Sequence, residues 1–105
     1  DVGQSVVIQG GRIIGIEAAE GTDQLLKRCS VFIDARAKKT AILVKASKIG
    51  QDLRVDLPTI GLETIKNLIE QGYKGMAIEA QNTIILNQEE ILTIIQNNHF
   101  FIYAY

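Results

Sequence analysis

β-branched residues dominate two short runs near the start of the chain, Ser5-Val6-Val7-Ile8 and Arg12-Ile13-Ile14-Gly15-Ile16, with Gln9-Gly10-Gly11 between them. A Gly-Gly link supplies positive φ at little steric cost, so this pattern predicts a β-hairpin. Leu25, Leu26, Cys29 and Phe32 then recur at helical spacing behind Glu20-Gly21-Thr22-Asp23. They predict a helix capped by Thr22 or Asp23 and ending near Ile33. Lys38-Lys39 leads into Thr40-Ala41-Ile42-Leu43-Val44, an apolar run of strand length whose end delivers Lys45 to the next loop. From Ala46 to Thr59 the periodicity fails and Pro58 holds Leu57 extended, which marks a long loop. Leu62, Ile65, Leu68 and Ile69 form the sheet-facing stripe of a second helix that begins after Gly61 and stops at Gly72. Met76-Ala77-Ile78 and Thr83-Ile84-Ile85-Leu86 read as strands joined by a turn near Gln81-Asn82. Asn87 caps a third helix running to about Gln96 with Ile91, Leu92 and Ile95 inward, and Phe100 to Tyr103 makes the last strand. The order β-β-α-β-α-β-β-α-β predicts an α/β fold, or α+β, with a mixed β-sheet packed by three helices.

Composition narrows the function classes. With 105 residues and 47% hydrophobic content, residues 1–105 suffice for one domain with its own core. Formal net charge is -1, from 11 basic and 12 acidic residues, so the broad positive field of a nucleic-acid binder is missing and nucleic acid is not expected as a partner. Cys29 is the single cysteine, which excludes an intrachain disulfide and a cysteine-rich zinc site and suits a reducing compartment, hence the cytoplasm. No apolar run approaches the ~18–20 residues that cross a bilayer. Asp1-Val2-Gly3-Gln4 lacks the character of a signal peptide, and an opening without methionine reads as a domain taken from a longer protein. Neither a Gly-x-Gly-x-x-Gly turn between strand and helix nor a P-loop lysine motif is present.

Candidate chemistry gathers in residues 45–61, where two carboxylates, Asp52 and Asp56, meet three cations, Lys45, Lys48 and Arg54, and the amide of Gln51. In extended backbone Asp52, Arg54 and Asp56 share one side, since strand side chains repeat every second residue. Two hard oxygen ligands suit Mg²⁺ or Mn²⁺, while Lys45, Lys48 and Arg54 suit phosphate oxygens. Pyrophosphate hydrolysis needs this mixture, because a metal acidifies its bound water and cations offset charge on the phosphoryl oxygens. A solvated loop shaped by an Arg54–carboxylate pair would show the same composition. Glu20-Gly21-Thr22-Asp23 is a second candidate, since a glycine at a helix start exposes N–H groups that cradle phosphate, although an ordinary N-cap reads the same way. Gln4 and Ser5 could offer an amide and a hydroxyl to a ligand, or simply lead into a strand. His99 reads as structural or exposed and Cys29 as a buried thiol.

Three motifs in this order carry a family resemblance: Asp1 to Val7, Glu17 to Asp23, and Lys48 to Gly61 with Gln51-Asp52-Leu53-Arg54-Val55-Asp56-Leu57-Pro58-Thr59-Ile60-Gly61. Together they resemble the C-terminal domain of the UDP-2,3-diacylglucosamine diphosphatase that some Gram-negative bacteria use in place of the calcineurin-like enzyme. The resemblance implies a two-domain enzyme of lipid A biosynthesis, with the site and acyl-chain pocket between this domain and an N-terminal one. It implies water attack on the sugar-proximal phosphorus of a lipid-linked UDP-sugar, with help from a divalent cation, to give UMP and 2,3-diacylglucosamine 1-phosphate. Carried onto this sequence, Asp56 or Asp52 is catalytic, Asp56 the first choice, and both hold the metal. Gln4, Ser5, Glu20, Gly21, Thr22, Asp23, Lys45, Lys48, Gln51, Arg54 and Thr59 bind substrate. An acylated substrate places the enzyme in the cytoplasm with peripheral contact to the inner membrane, and the isolated domain is expected to be inactive. The rival reading is a non-catalytic module that binds an anion or nucleotide-sugar, or serves assembly, on the same scaffold.

Overall fold

The computed structural model describes residues 5–33, 40–46, 59–79 and 84–105. Gly10 and Gly11, at φ 62° and 78°, close the hairpin between β1 (Ser5–Gln9) and β2 (Arg12–Ile16) as the Gly-Gly link predicts. β1 also pairs antiparallel with β3 (Ala41–Lys45), which in turn lies parallel to β5 (Gly75–Ile78). β5 is parallel to β7 (Phe101–Ala104), completing a mixed sheet of order β2-β1-β3-β5-β7. Three helices accompany it: α1 (Thr22–Ser30), α2 (Leu62–Glu70) and α3 (Gln88–Asn97). The α/β class and mixed sheet are those that the hydrophobic pattern predicts.

Several local expectations change. A two-residue strand, β4 (Thr59–Ile60), pairs in parallel with β6 (Ile84–Ile85) as a separate small sheet, so β5 and β6 do not form a joined pair. Ile84-Ile85 lie within an apolar run, whereas Thr59 ends a polar stretch with no period, which is why the sequence reveals β6 as a strand but not its partner. Neither Thr22 nor Asp23 caps α1: Gly21 is the N-cap, at φ 88°, without a side-chain capping bond. α1 stops at Ser30, short of Ile33, and leaves Phe32 65% exposed. In α3 Leu92 is 53% exposed while Ile94 packs against the core, because the helix turns Ile91, Ile94 and Ile95 inward instead. Asn87 does occupy its N-cap, but in the left-handed region and with no side-chain bond. Lys38-Lys39 and the turn near Gln81-Asn82 lie outside the described residues.

α2 and α3 end alike. Tyr73 N–H donates to Leu68 O and Gly72 N–H to Ile69 O behind left-handed Gly72, while Phe100 N–H donates to Ile95 O behind left-handed His99. These are Schellman-type closures that satisfy terminal carbonyls and turn the chain sharply back toward the sheet. His99 is thus a helix-stop residue, exposed and conformational in its role. Both closures set a large aromatic into the core next, Tyr73 at 1% and Phe100 at 5% exposure. Tyr73 Oη donates to Leu26 O at 3.1 Å, so its one polar atom is paired as burial requires.

Side chains on the helix-covered face meet in a row through the register Gly15–Val7–Leu43–Met76–Ile102. Leu25, Leu26 and Cys29 of α1, Ile65 and Leu68 of α2 and Ile91 of α3 close over it. The opposite face carries the rows Ile16–Val6–Val44–Ala77–Tyr103 and Ile13–Ile8–Ile42–Gly75–Phe101. Burial pushes the Cys29 thiol up, which suits packing rather than nucleophilic chemistry. Among the described residues no helix is long and apolar enough to cross a membrane.

Close approach of α1 to β2 depends on Gly15, whose added Cβ would run into Cys29 Sγ and stand 3.1 Å from Leu25 Cδ1. Gly15→Ala should therefore destabilise the fold by ~1–3 kcal/mol through overpacking. Equilibrium urea unfolding would show this as a lower midpoint, and Gly15→Ala combined with Cys29→Ala should recover part of the loss. An unchanged midpoint in the single variant would mean that α1 does not sit against β2 at this position.

Candidate active site

Antiparallel pairing sets Ser5, the first residue of β1, directly opposite Lys45, the last of β3. Immediately after β2, Glu17 N–H donates to Ser5 O at 2.8 Å, which brings a carboxylate to the same end of the sheet. α1 starts there too, so its first residue, Thr22, enters between them. Lys45 Nζ donates to Thr22 Oγ1 at 2.9 Å, and Thr22 Oγ1 donates to Glu17 Oε1 at 2.5 Å. Ser5 Oγ lies 3.4 Å from Thr22 Oγ1. Ser5 is 1% and Glu17 9% exposed, so this polar cluster is built into the domain.

Electrostatics make the cluster tense. Burial pushes the Lys45 ammonium below the usual lysine range, while the carboxylates of Glu17 and Asp23 pull it back up. The hydroxyl proton of Thr22 is committed to a carboxylate, and its oxygen accepts from Lys45. Thr22 therefore fixes where the ammonium sits instead of offering its own proton to an anion. Lys45 remains a positive charge with further N–H donors, held at the carboxyl end of β3. Ligands of open α/β sheets gather beyond the carboxyl ends of parallel strands, and β3, β5 and β7 all end at this edge.

The sequence-derived candidates distribute unevenly. Ser5, Thr22 and Lys45 converge, with Gly21 at their margin as the helix cap. Glu20 turns to a two-pronged contact with Arg28, Nη2 to Oε1 at 2.7 Å and Nε to Oε2 at 3.2 Å, which lowers its carboxyl pKa. Asp23 Oδ1 accepts from Asn67 Nδ2 at 3.4 Å on the surface between α1 and α2. Thr59 opens β4. Gln4, Lys48, Gln51, Asp52, Arg54 and Asp56 lie outside the described residues. Among the described residues no three His, Cys, Asp or Glu side chains come together as a metal-ligand set.

Glu17 is the member that sequence reading misses, although it opens the Glu17–Asp23 motif. The available signal was its place directly after an apolar strand, where the next side chain is held by the sheet instead of free in a loop.

A depressed Lys45 has a stability signature. The unfolded chain binds the Lys45 proton more tightly than the folded one, so raising pH favours the folded state through the window between the lowered folded value and the ordinary 10.5. The unfolding free energy of the wild type should rise relative to Lys45→Met as pH climbs through that window. Denaturant titrations of both proteins from neutral to alkaline pH measure the difference, and a difference that stays flat would mean that Lys45 is fully solvated.

Comparison with known proteins matches the same segments. The LpxI C-terminal domain family, described as "LpxI C-terminal domain", matches residues 1–103. A relative from Caulobacter vibrioides (strain ATCC 19089 / CIP 103742 / CB 15), UDP-2,3-diacylglucosamine pyrophosphatase LpxI, is 35% identical over 106 residues. That match covers 97% of this chain and 38% of the relative, so the chain spans well under half of that protein's length. With a match along nearly its whole length, the chain belongs to the LpxI C-terminal domain family.

Proposed function

We propose that this chain is the C-terminal half of a two-domain UDP-2,3-diacylglucosamine diphosphatase of lipid A biosynthesis, and that the Ser5–Glu17–Thr22–Lys45 cluster belongs to its pyrophosphate site. The observation that carries this reading is the half-buried Lys45 ammonium, pinned by Thr22 at the carboxyl end of β3, the strand that precedes Asp52 and Asp56 in the sequence. A similar protein named for that activity supports the substrate class. The reaction is hydrolysis of the phosphoanhydride. Water adds at the sugar-proximal phosphorus, the bridging P–O bond breaks toward UMP, and 2,3-diacylglucosamine 1-phosphate remains.

Lys45 would hold a phosphate oxygen through N–H donors beyond the one spent on Thr22, with Lys48 and Arg54 as further cations. A fixed ammonium in a site of lowered polarity offsets developing negative charge more strongly than one free in water. Glu17 acts through Thr22, keeping the hydroxyl turned so that its oxygen faces Lys45, and is a positioning residue. Asp56, with Asp52, orients water and draws its proton. As hard oxygen donors the two aspartates suit Mg²⁺ or Mn²⁺, which when bound supplies charge neutralisation and a more acidic water. Because the substrate is acylated, the parent enzyme works in the cytoplasm at the surface of the inner membrane.

Asp56→Ala in the full-length parent should lower kcat by ~10²-fold or more with little change in unfolding midpoint, because a group that acts on water contributes mainly in the transition state. Asp52→Ala is the comparison, and turnover should require added Mg²⁺ or Mn²⁺ after chelation. Lys45→Met should reduce kcat/KM while Thr22→Val, which leaves the ammonium but frees its position, loses less. Wild-type turnover in both aspartate variants would return the domain to the rival reading of a binding module.

A further inference from the structure

We propose that Ser5 is a positioning residue of the hydrolysis, which never meets the substrate and instead donates its hydroxyl proton to Thr22, locking the oxygen that places Lys45. The proposal rests on the catalytic reading above for what Lys45 does, and on the geometry of the cluster for what Ser5 does.

Counting protons at Thr22 decides the direction of each bond. A hydroxyl has one proton and two lone pairs. Glu17 Oε1 stands 2.5 Å from Thr22 Oγ1, the separation of a hydroxyl donating to a carboxylate, so the one proton of Thr22 lies there. Lys45 Nζ, at 2.9 Å, can only donate and takes one lone pair. Ser5 Oγ, at 3.4 Å, then faces the second lone pair of an oxygen with no proton left to give, and Ser5 is the donor. With Cβ as its fourth neighbour, the oxygen is saturated. Turning Thr22 to another rotamer breaks all three bonds together.

Burial and sequence point the same way. Ser5 is 1% exposed, so its hydroxyl is closed to a ligand, which corrects the expectation that it binds substrate. A buried strand position in line with Val7 favours an apolar β-branched side chain, and serine there costs both strand preference and desolvation of a hydroxyl. A bond to Thr22 offsets that cost. Ser5 also sits directly opposite Lys45 in the antiparallel pair, where facing Cβ atoms are ~4.5–5.5 Å apart, so a small side chain leaves room for the lysine stem to reach Thr22. Thr22 needs the help, because threonine in a helix divides between two rotamers and only one aims its oxygen at Lys45. Of this cluster, the ammonium alone is then left to meet the pyrophosphate.

The test uses the full-length parent with two readouts. Three-bond couplings of the Thr22 methyl carbon should show one dominant rotamer, and Ser5→Ala should raise the population of the second by about fivefold, the worth of one hydrogen bond. Ser5→Cys, which keeps the volume and a weak S–H donor, should shift it less in the same direction and serves if the alanine variant does not fold. Turnover of UDP-2,3-diacylglucosamine should fall by about 3–10-fold in kcat/KM in Ser5→Ala, less than in Thr22→Val. In a Thr22→Val background Ser5→Ala should cost nothing more, because its only route to the site has gone. A Ser5→Ala loss that adds in full to that of Thr22→Val overturns the proposal, and so does a Thr22 rotamer population that neither Ser5 variant changes. A parent that does not hydrolyse UDP-2,3-diacylglucosamine removes the catalytic reading instead, and the rotamer populations still decide whether Ser5 holds Thr22.

Discussion

Handedness is the constraint on which this architecture rests. A right-twisted strand followed by a right-handed helix returns to the sheet with one chirality only. When β3, β5 and β7 are laid down in a single direction, every crossover must therefore rise on the same side. The helices then share one face and one core, in which Leu43, Met76, Leu68 and Ile91 come together although they are distant in sequence. The same constraint gathers the carboxyl ends of the parallel strands at one edge. β1, antiparallel to β3, brings its amino end there, which is how Ser5 comes to face Lys45. Core, site and bare outer face are thus three consequences of one topological rule.

Within that frame, the polar cluster answers the problem of a cation that the fold forces partly out of water. An ammonium loses hydration at the end of β3, and burial drives its pKa down. Glu17 offsets this without touching Lys45 in the bonds described, since Thr22 stands between them and bonds to both. A direct ion pair would spend the charge of Lys45 on a carboxylate, whereas the hydroxyl relay holds the ammonium in place and leaves it able to meet an anion. Glu20 and Arg28 differ: there carboxylate and cation meet directly near the surface, with Arg28 also donating to Ile16 O, and exposed pairs of this kind contribute little to stability.

What the sequence discloses depends on how local the cause is. The Gly10-Gly11 turn, the Ile65–Leu68 stripe and the delivery of Lys45 by an apolar strand are decided within a few residues, and each stands in the structure. Residue preference points to Thr22 or Asp23 as the cap of α1, yet the chain enters the helix through a positive φ, and Gly21, at φ 88°, takes that conformation cheaply. Leu92 and Ile94 exchange places because a short helix tolerates a small rotation that periodicity alone does not fix. The joining of β4 to β6 and the entry of Glu17 into the site arise between segments far apart in the chain, where a single sequence carries no register. Asp52 and Asp56 stand on the motif itself, outside the described residues.

The composition of the strands ties these levels together. β1, β2, β3, β5 and β7 are apolar at nearly every position, although helices cover only one side of the sheet. Burial of the inner row accounts for Val7, Leu43 and Met76, but it gives no reason for Ile16, Val44 or Tyr103 on the reverse. Strand propensity alone would be met as well by threonine, which is β-branched and accepts water. Isoleucine and tyrosine at those positions carry an aggregation cost whenever they stay uncovered, since an apolar sheet face attracts any similar surface. The sheet also reaches the site, because Lys45 and Ser5 terminate the central strands, and an ammonium positioned by a single hydroxyl is only as well placed as the strand that bears it.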